Sequence, residues 1–340
     1  MIAVRMFWLS GLTTLATTSC LLAASLACAE PVAPVGKLTV KPGLSVDDDE
    51  AMNISGAACF VSAGTRKSCL LIGDEVKYAR FFSIEGTKLV PGDKLFLLPE
   101  RDENGNKFKE TDAEGIAVAD GIYYVVGSHG LNKKGVKQPS RYFVYRIEIN
   151  PQNGRPADLG TADRASMSVL RKDVLAELIS KDPILKDHVD DIPGKQGVNI
   201  EGVAAIGADL YFGFRGPLVE DAALVMQVPA RAIFEDQRGG VQMHSLPLGK
   251  GQGIRDLAGV RDGLLLLSGP EERKAGKAEV FFWKQGSAPL LLADLGGPRA
   301  DGGQPEVLLL LEETQNHYSI LVMSDGPAGG DPTIFEIAKP

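Results

Sequence analysis

Apolar positions along this chain fall in short runs separated by turn residues, and the runs recur in sets. Five segments open a set: Asn53-Ile-Ser-Gly56, Asp112-Ala-Glu-Gly115, Asn199-Ile-Glu-Gly202, Asp256-Leu-Ala-Gly259 and Gln304-Pro-Glu-Val307. Each is followed, after a turn, by a run dense in Leu, Ile, Val and Tyr, at 69–74, 122–129, 210–215, 264–269 and 319–325. Third runs follow at 79–84, 142–149, 223–228, 279–283 and 333–337, and fourth runs at 94–98, 241–246 and 289–292. Short strands at even spacing, four to a unit and without helices between them, predict an all-β fold of the β-propeller kind. The repeats count five blades, with six as the alternative. The last unit lacks a fourth strand, and the early run 37–40 is placed to supply it. The small residue in the first strands (Gly56, Gly115, Gly202, Gly259) suits a crowded axis, where Gly lets backbones approach closely.

One stretch, 161–197, breaks the pattern. Within 172–179 the residues Val174, Leu175, Leu178 and Ile179 share one helical face. Asp182-Pro183 then reads as an N-cap with Pro at the first helical position, opening a second short helix to about 192. This predicts a helical insertion between the second and third blades of a single domain, 30–340.

In an up-and-down blade, the start of the first strand and the end of the second share a face. The residues before each Gly therefore gather at one mouth of the central channel. Asn53, Asp112, Asn199, Asp256 and Gln304 stand three positions before the small residue, and Glu114, Glu201 and Glu306 one position before it. Converging carboxylates and amide carbonyls are what Ca²⁺ takes, with six to eight oxygens. The expected metal ligands are Glu114, Glu201, Asp112 and Glu306; the competing reading is that Asn and Asp simply cap turns. Arg215 and Asn199 are the candidates for holding an anionic substrate, Arg215 through its planar fork of donors. Its alternative is a salt bridge to Glu114 or Glu201. His129 and Asp256 are the candidate general bases, with a solvated loop histidine the alternative for His129.

Composition narrows the setting. Arg5 is the only charge before Glu30, and an apolar stretch ending Ala27-Cys28-Ala29 predicts a secretory signal peptide over 1–29, cleaved after Ala29. Cys59 and Cys69 then remain, and an exported chain with two cysteines ten positions apart fits one disulfide across a hairpin, against the alternative of two buried thiols. Lys and Arg number 36 against 44 Asp and Glu, for a net charge of −8, which becomes −9 when Arg5 is lost. Phosphate binding needs a basic surface, so this balance argues against nucleic acid. No stretch of the mature chain has the ~20 apolar residues of a membrane helix. The nucleophile elbow, zinc, Walker and dinucleotide motifs are all lacking.

The phrases Glu114-Gly-Ile-Ala117 with Gly127-Ser-His129, and Asn199-Ile-Glu-Gly-Val-Ala204 with Gly213-Phe-Arg-Gly-Pro-Leu218, resemble the bacterial family called domain of unknown function 3616, over nearly the whole mature chain. The family carries Asn or a similar residue after the Arg, where this chain has Gly216. More distantly, the Glu-Gly first strands look like those of esterase-like phytases and gluconolactonase-type propellers. That resemblance implies a divalent metal on Glu114 and Glu201, with His129 or Asp256 as base. The expected activity is Ca²⁺-dependent hydrolysis of a phosphate ester or lactone at the acidic mouth. The alternative is a non-catalytic propeller that binds an extracytoplasmic protein, peptide or glycan.

Overall fold

The computed structural model describes residues 31–46, 49–50, 53–62, 65–272, 276–297 and 303–340. The signal peptide expected over 1–29 lies outside them.

The chain forms five four-stranded antiparallel blades arranged in a ring. Blade 1 is Ile54–Ser62, Thr65–Gly73, Tyr78–Glu85 and Lys88–Phe96. Blade 2 is Ala113–Ala119, Ile122–Gly127, Val144–Glu148 and Val169–Lys172. Blade 3 is Asn199–Ile206, Asp209–Val219, Ala222–Pro229 and Gln242–Leu246. Blade 4 is Gln252–Val260, Gly263–Pro270, Glu279–Trp283 and Leu290–Asp294. Blade 5 is Gln304–Glu313, His317–Asp325 and Thr333–Ala338, completed by Gly36–Lys37. In each blade the first of these strands in sequence lies innermost, next to the channel; in blade 5 this is Gln304–Glu313.

The middle strands read as unbroken apolar runs because a blade is buried on both faces. In Leu264-Leu265-Leu266-Leu267, Leu264 and Leu266 enter the core against blade 3, while Leu265 and Leu267 enter the core against blade 5. The period is still two, but both phases meet a neighbouring blade. Five such hydrophobic clusters fill the five interfaces between blades. Fully burying one such Leu is worth about 1.5–3 kcal/mol.

Two glycines mark close approach at the axis. A Cβ on Gly115 would lie 2.6 Å from Val203 N, and one on Gly202 would lie 2.8 Å from Asp256 Cα. The inner strands of blades 2, 3 and 4 thus touch backbone to backbone.

The early run divides its pairing. Gly36 and Lys37 pair with Ile334 and Thr333 as expected, but Thr39–Val40 runs parallel to Lys88 and Leu89 of blade 1. One short segment therefore ties three blades, with Val32 N donating to Asp294 O, Val35 N to Ile334 O and Thr39 N to Thr87 O.

The insertion is shorter than the expected 161–197, because Val169–Lys172 is the outer strand of blade 2. Beyond it comes the helix Val174–Lys181, with Leu175 and Ile179 buried in the interface of blades 2 and 3. Asp182 caps the next turn as expected, its Oδ1 accepting from Ile184 N and Leu185 N. The second helix is only the single 3-10 turn Leu185–His188; beyond it Pro193 and Gly194 form a turn. Among the described residues no helix is long and apolar enough to cross a membrane. Cys59 and Cys69 stand opposite each other in blade 1 and form the disulfide.

Candidate functional site

Each of the five inner strands carries a one-residue β-bulge at the same register position. The pairing skips Ser55, Glu114, Glu201, Arg255 and Glu306 in turn. A bulge re-aims the extra side chain and is common beside active sites. Here four of the five bulged residues, all but Ser55, line a cavity of about 950 Å³ at one mouth of the channel.

A backbone hydrogen-bond chain fixes one side of that mouth. Asp74 N donates to Asn53 O, Asp112 N to Asp74 O, Ser128 N to Asp112 O and Ile200 N to Ser128 O. This chain runs from blade 1 through blade 2 to blade 3. It holds Asp112 in a left-handed conformation, φ 48°, which Asp tolerates better than most residues.

Two electrostatic halves result. On the side of blades 1 and 2, carboxylate oxygens of Asp74, Asp112 and Glu114 all lie within 4.8 Å of one another. Asp112 accepts Ser128 Oγ and Arg141 Nη1 (2.8 Å), both on Oδ2. Arg141 is itself held by Glu110 (3.0 Å) and Gln138 (2.8 Å). Glu114 has no ion pair or hydrogen bond among the described residues. Burial, then the charges of Asp112 and Glu201, push its pKa well above the usual carboxylate range. Burial and the charge of Asp112 raise Asp74 to about 7.

On the side of blades 3 to 5, Glu201 and Glu306 are paired with arginines, while Asp325 at the end of the second strand of blade 5 has no ion pair among the described residues and its Oδ1 is buried without a partner. Glu201 Oε1 receives Arg215 Nη1 at 2.5 Å and Asn199 Nδ2 at 2.7 Å. Arg255 Nη1 lies 3.1 Å from Glu201 Oε2 and 2.6 Å from Glu306 Oε1. Burial works against the Arg255 charge, but Glu201, Glu306 and Glu114 outweigh it and hold the guanidinium protonated.

The expected site residues therefore separate. Asp112 and Glu114 meet, and Asp74, in the turn just past the second strand of blade 1, joins them. Glu201 and Glu306 are engaged by arginines instead. Arg215 lines the mouth but is spent on Glu201, and Asn199 orients that same carboxylate.

The two candidate bases do not line the cavity. His129 is buried, with Nδ1 2.9 Å from Gly127 O and its ring edge-on to Tyr142. Burial depresses its pKa to about 4. Asp256 sits one position past the bulge, where the other strands have Gly or Val, and is 2 % exposed. Its oxygens accept Leu257 N (2.8 Å) and Leu308 N (2.7 Å), stitching blade 4 to blade 5. The mouth equivalent of Asn53 and Asp112 in blade 4 is Gly253.

Sequence reasoning misses Arg255 because Gly259 invites a false alignment of the fourth repeat. The apolar pairs flanking each bulge are the better ruler: Ile54 and Ala57, Ala113 and Ile116, Ile200 and Val203, Ile254 and Leu257, Pro305 and Leu308.

The molecule is thus a five-bladed propeller with a charged mouth built on repeated bulges. Its sequence matches the family described as Protein of unknown function (DUF3616) over residues 62–143 and 136–331, and the chain belongs to that family. No protein of curated function matches the sequence. Among solved structures it is similar to the PQQ-bound aldose sugar dehydrogenase of Streptomyces coelicolor, at 11% identity and TM-score 0.42, covering 91% of this chain and 97% of that one. It is also similar to a protein described as a putative gluconolactonase, at 11% identity and TM-score 0.40, covering 80% and 70%. Both are distant, and neither bears on the chemistry of the mouth.

Proposed function

We propose that the mouth is a Ca²⁺-dependent hydrolytic site for a phosphate ester or lactone, in a protein exported to an oxidising compartment. The observation that carries this reading is the Asp74, Asp112 and Glu114 cluster. Two oxygens bound to one Ca²⁺ at about 2.4 Å stand no more than about 4.8 Å apart, and these three meet that limit. Asn53 and Gln304 line the same mouth and carry amide oxygens, neutral donors of the kind Ca²⁺ accepts. The donor set is all oxygen, which suits a hard cation and not zinc.

Bound there, the ion supplies Lewis-acid polarisation of the scissile group and a more acidic water. Arg141 and Ser128 hold Oδ2 of Asp112, so its Oδ1 would be the oxygen available to an ion. Glu114, without a cation of its own, gains most from one. The paired Glu201, Arg215, Arg255 and Glu306 form a charged but internally balanced wall. The Cys59–Cys69 disulfide supports the oxidising compartment.

The test is a thermal melt in EDTA and then with Ca²⁺, for the parent and Glu114→Gln. Ca²⁺ raises the midpoint of the parent with its concentration and leaves the variant unmoved. A parent that ignores Ca²⁺ removes the reading, and binding of a protein, peptide or glycan at the mouth is then tested by pull-down.

A further inference from the structure

Two cations at the mouth remain after the arginines are accounted for. Lys133 and Lys195 line the cavity, and neither has an ion pair or hydrogen bond through its ammonium among the described residues. They come from different loops, the connection after the second strand of blade 2 and the end of the insertion. Both loops are held by local hydrogen bonds at these points. Asn132 closes the first, its Oδ1 accepting Lys134 N (2.9 Å) and Val136 N (3.0 Å). The second is the turn Ile192-Pro193-Gly194-Lys195, with Lys195 N donating to Ile192 O at 2.9 Å and Gly194 at φ 79°. Pro followed by Gly with positive φ is the pattern of a type II turn.

The loops also pack on each other. A Cβ on Gly130 would lie 2.8 Å from Pro193 Cγ and 2.8 Å from Val198 O. Downstream, Gln196 N donates to Glu271 Oε1 at 3.1 Å, which anchors the insertion to blade 4. The two lysines are thus presented from two braced, mutually packed loops at the same mouth that holds the Asp74, Asp112 and Glu114 carboxylates.

We infer that Lys133 and Lys195 form a cationic rim that selects a phosphate monoester over a neutral lactone at this site. The inference rests on the hydrolytic reading above and names its substrate class. A phosphate monoester carries about −1.5 to −2 charge near neutral pH. Carboxylates repel it unless fixed cations compensate, and the arginines are already paired. A lactone is neutral and gains nothing from two ammonium groups. Lysine binds phosphate as a point charge and needs no planar pairing.

The experiment titrates phenylphosphonate, a non-hydrolysable phosphate mimic, into the full chain with Ca²⁺, for the parent, Lys133→Gln, Lys195→Gln and the double variant. Hydrolysis of phenyl phosphate and of δ-valerolactone is measured alongside. Both lysines are exposed, so the variants are expected to melt with the parent. The double variant should bind at least about tenfold more weakly and raise KM for phenyl phosphate with kcat retained. Equal affinity in parent and double variant overturns the rim, as does a parent that turns over the lactone while failing to bind phenylphosphonate. Lysine-dependent binding without turnover of either compound keeps the rim and removes the hydrolase. A Ca²⁺ response with lysine-independent binding does the reverse.

Discussion

Glu114 and Glu201 stand at the same bulge of adjacent inner strands, yet their surroundings are opposite. Glu201 receives Arg215 at 2.5 Å and Arg255 at 3.1 Å, whereas Glu114 faces Asp74 and Asp112 with no cation of its own. The same backbone device therefore makes a balanced ion-pair wall in one place and an unbalanced anionic cluster in the other.

The two glutamates should respond oppositely to the same substitution. Glu201→Gln removes the charge between two buried guanidiniums and should destabilise by about 3–5 kcal/mol, the cost of breaking a buried pair. Glu114→Gln relieves repulsion and should leave metal-free stability unchanged or higher. Urea unfolding of both variants in EDTA checks this; a Glu114→Gln loss as large as that of Glu201→Gln contradicts it.

His129 should act on stability in acid. Its pKa is depressed to about 4 in the fold, against about 6.5 unfolded. Between those values the unfolded chain binds the proton and the folded chain does not, so its contribution is present above pH 6.5 and lost as pH falls towards 4. The full effect is at most about 3 kcal/mol. The difference in unfolding free energy between the parent and His129→Gln, followed from pH 7 to 4, should shrink by that order. A flat difference means the ring is solvated.

Backbone contact at the axis should make Gly115 intolerant. Gly115→Ala brings Cβ to 2.6 Å from Val203 N, which cannot move without shifting blade 3. Overpacking of this kind costs about 1–3 kcal/mol. At Gly259 the nearest atom is Ala205 O at 3.1 Å, and Gly259→Ala should cost less. Paired denaturation curves decide the order.

Reduction should weaken blade 1. Cys59 and Cys69 close a loop of ten residues' separation, for which chain entropy gives about 2–3 kcal/mol. The Cys59→Ser, Cys69→Ser double variant should unfold earlier by that amount, and reductant should move the parent to match it.

Much of the fold is legible in the sequence because propeller blades are local. Each strand pairs with the next in sequence, so runs such as 264–269 and 279–283 announce their own elements. The outer strand Val169–Lys172 gives little signal because it is only four residues long and lies next to a helix. The site is half legible. Asp112 and Glu114 are announced by the repeat, while Asp74 stands in the turn just past a second strand, Thr65–Gly73, whose end varies between blades. Arg255 is hidden by a three-residue slip, since Gly259 imitates the small residue that stands one position past the bulge in other blades. Which carboxylates are neutralised depends on arginines from other strands, and no local pattern records that.

The segment that ties blades 4, 5 and 1 has a consequence for how the molecule comes into being. Residues 32–41 pair with Asp294, Ile334 and Leu89, so the earliest described part of the chain is bonded to almost its last. Each blade holds short-range pairings that can form as the chain emerges. The circle itself closes only when the final blade meets the waiting amino-terminal segment, a contact of very high sequence separation and slow to find. Until then the facing sides of blades 1 and 5 lack their cover, and that seam is the place where the ring should open first.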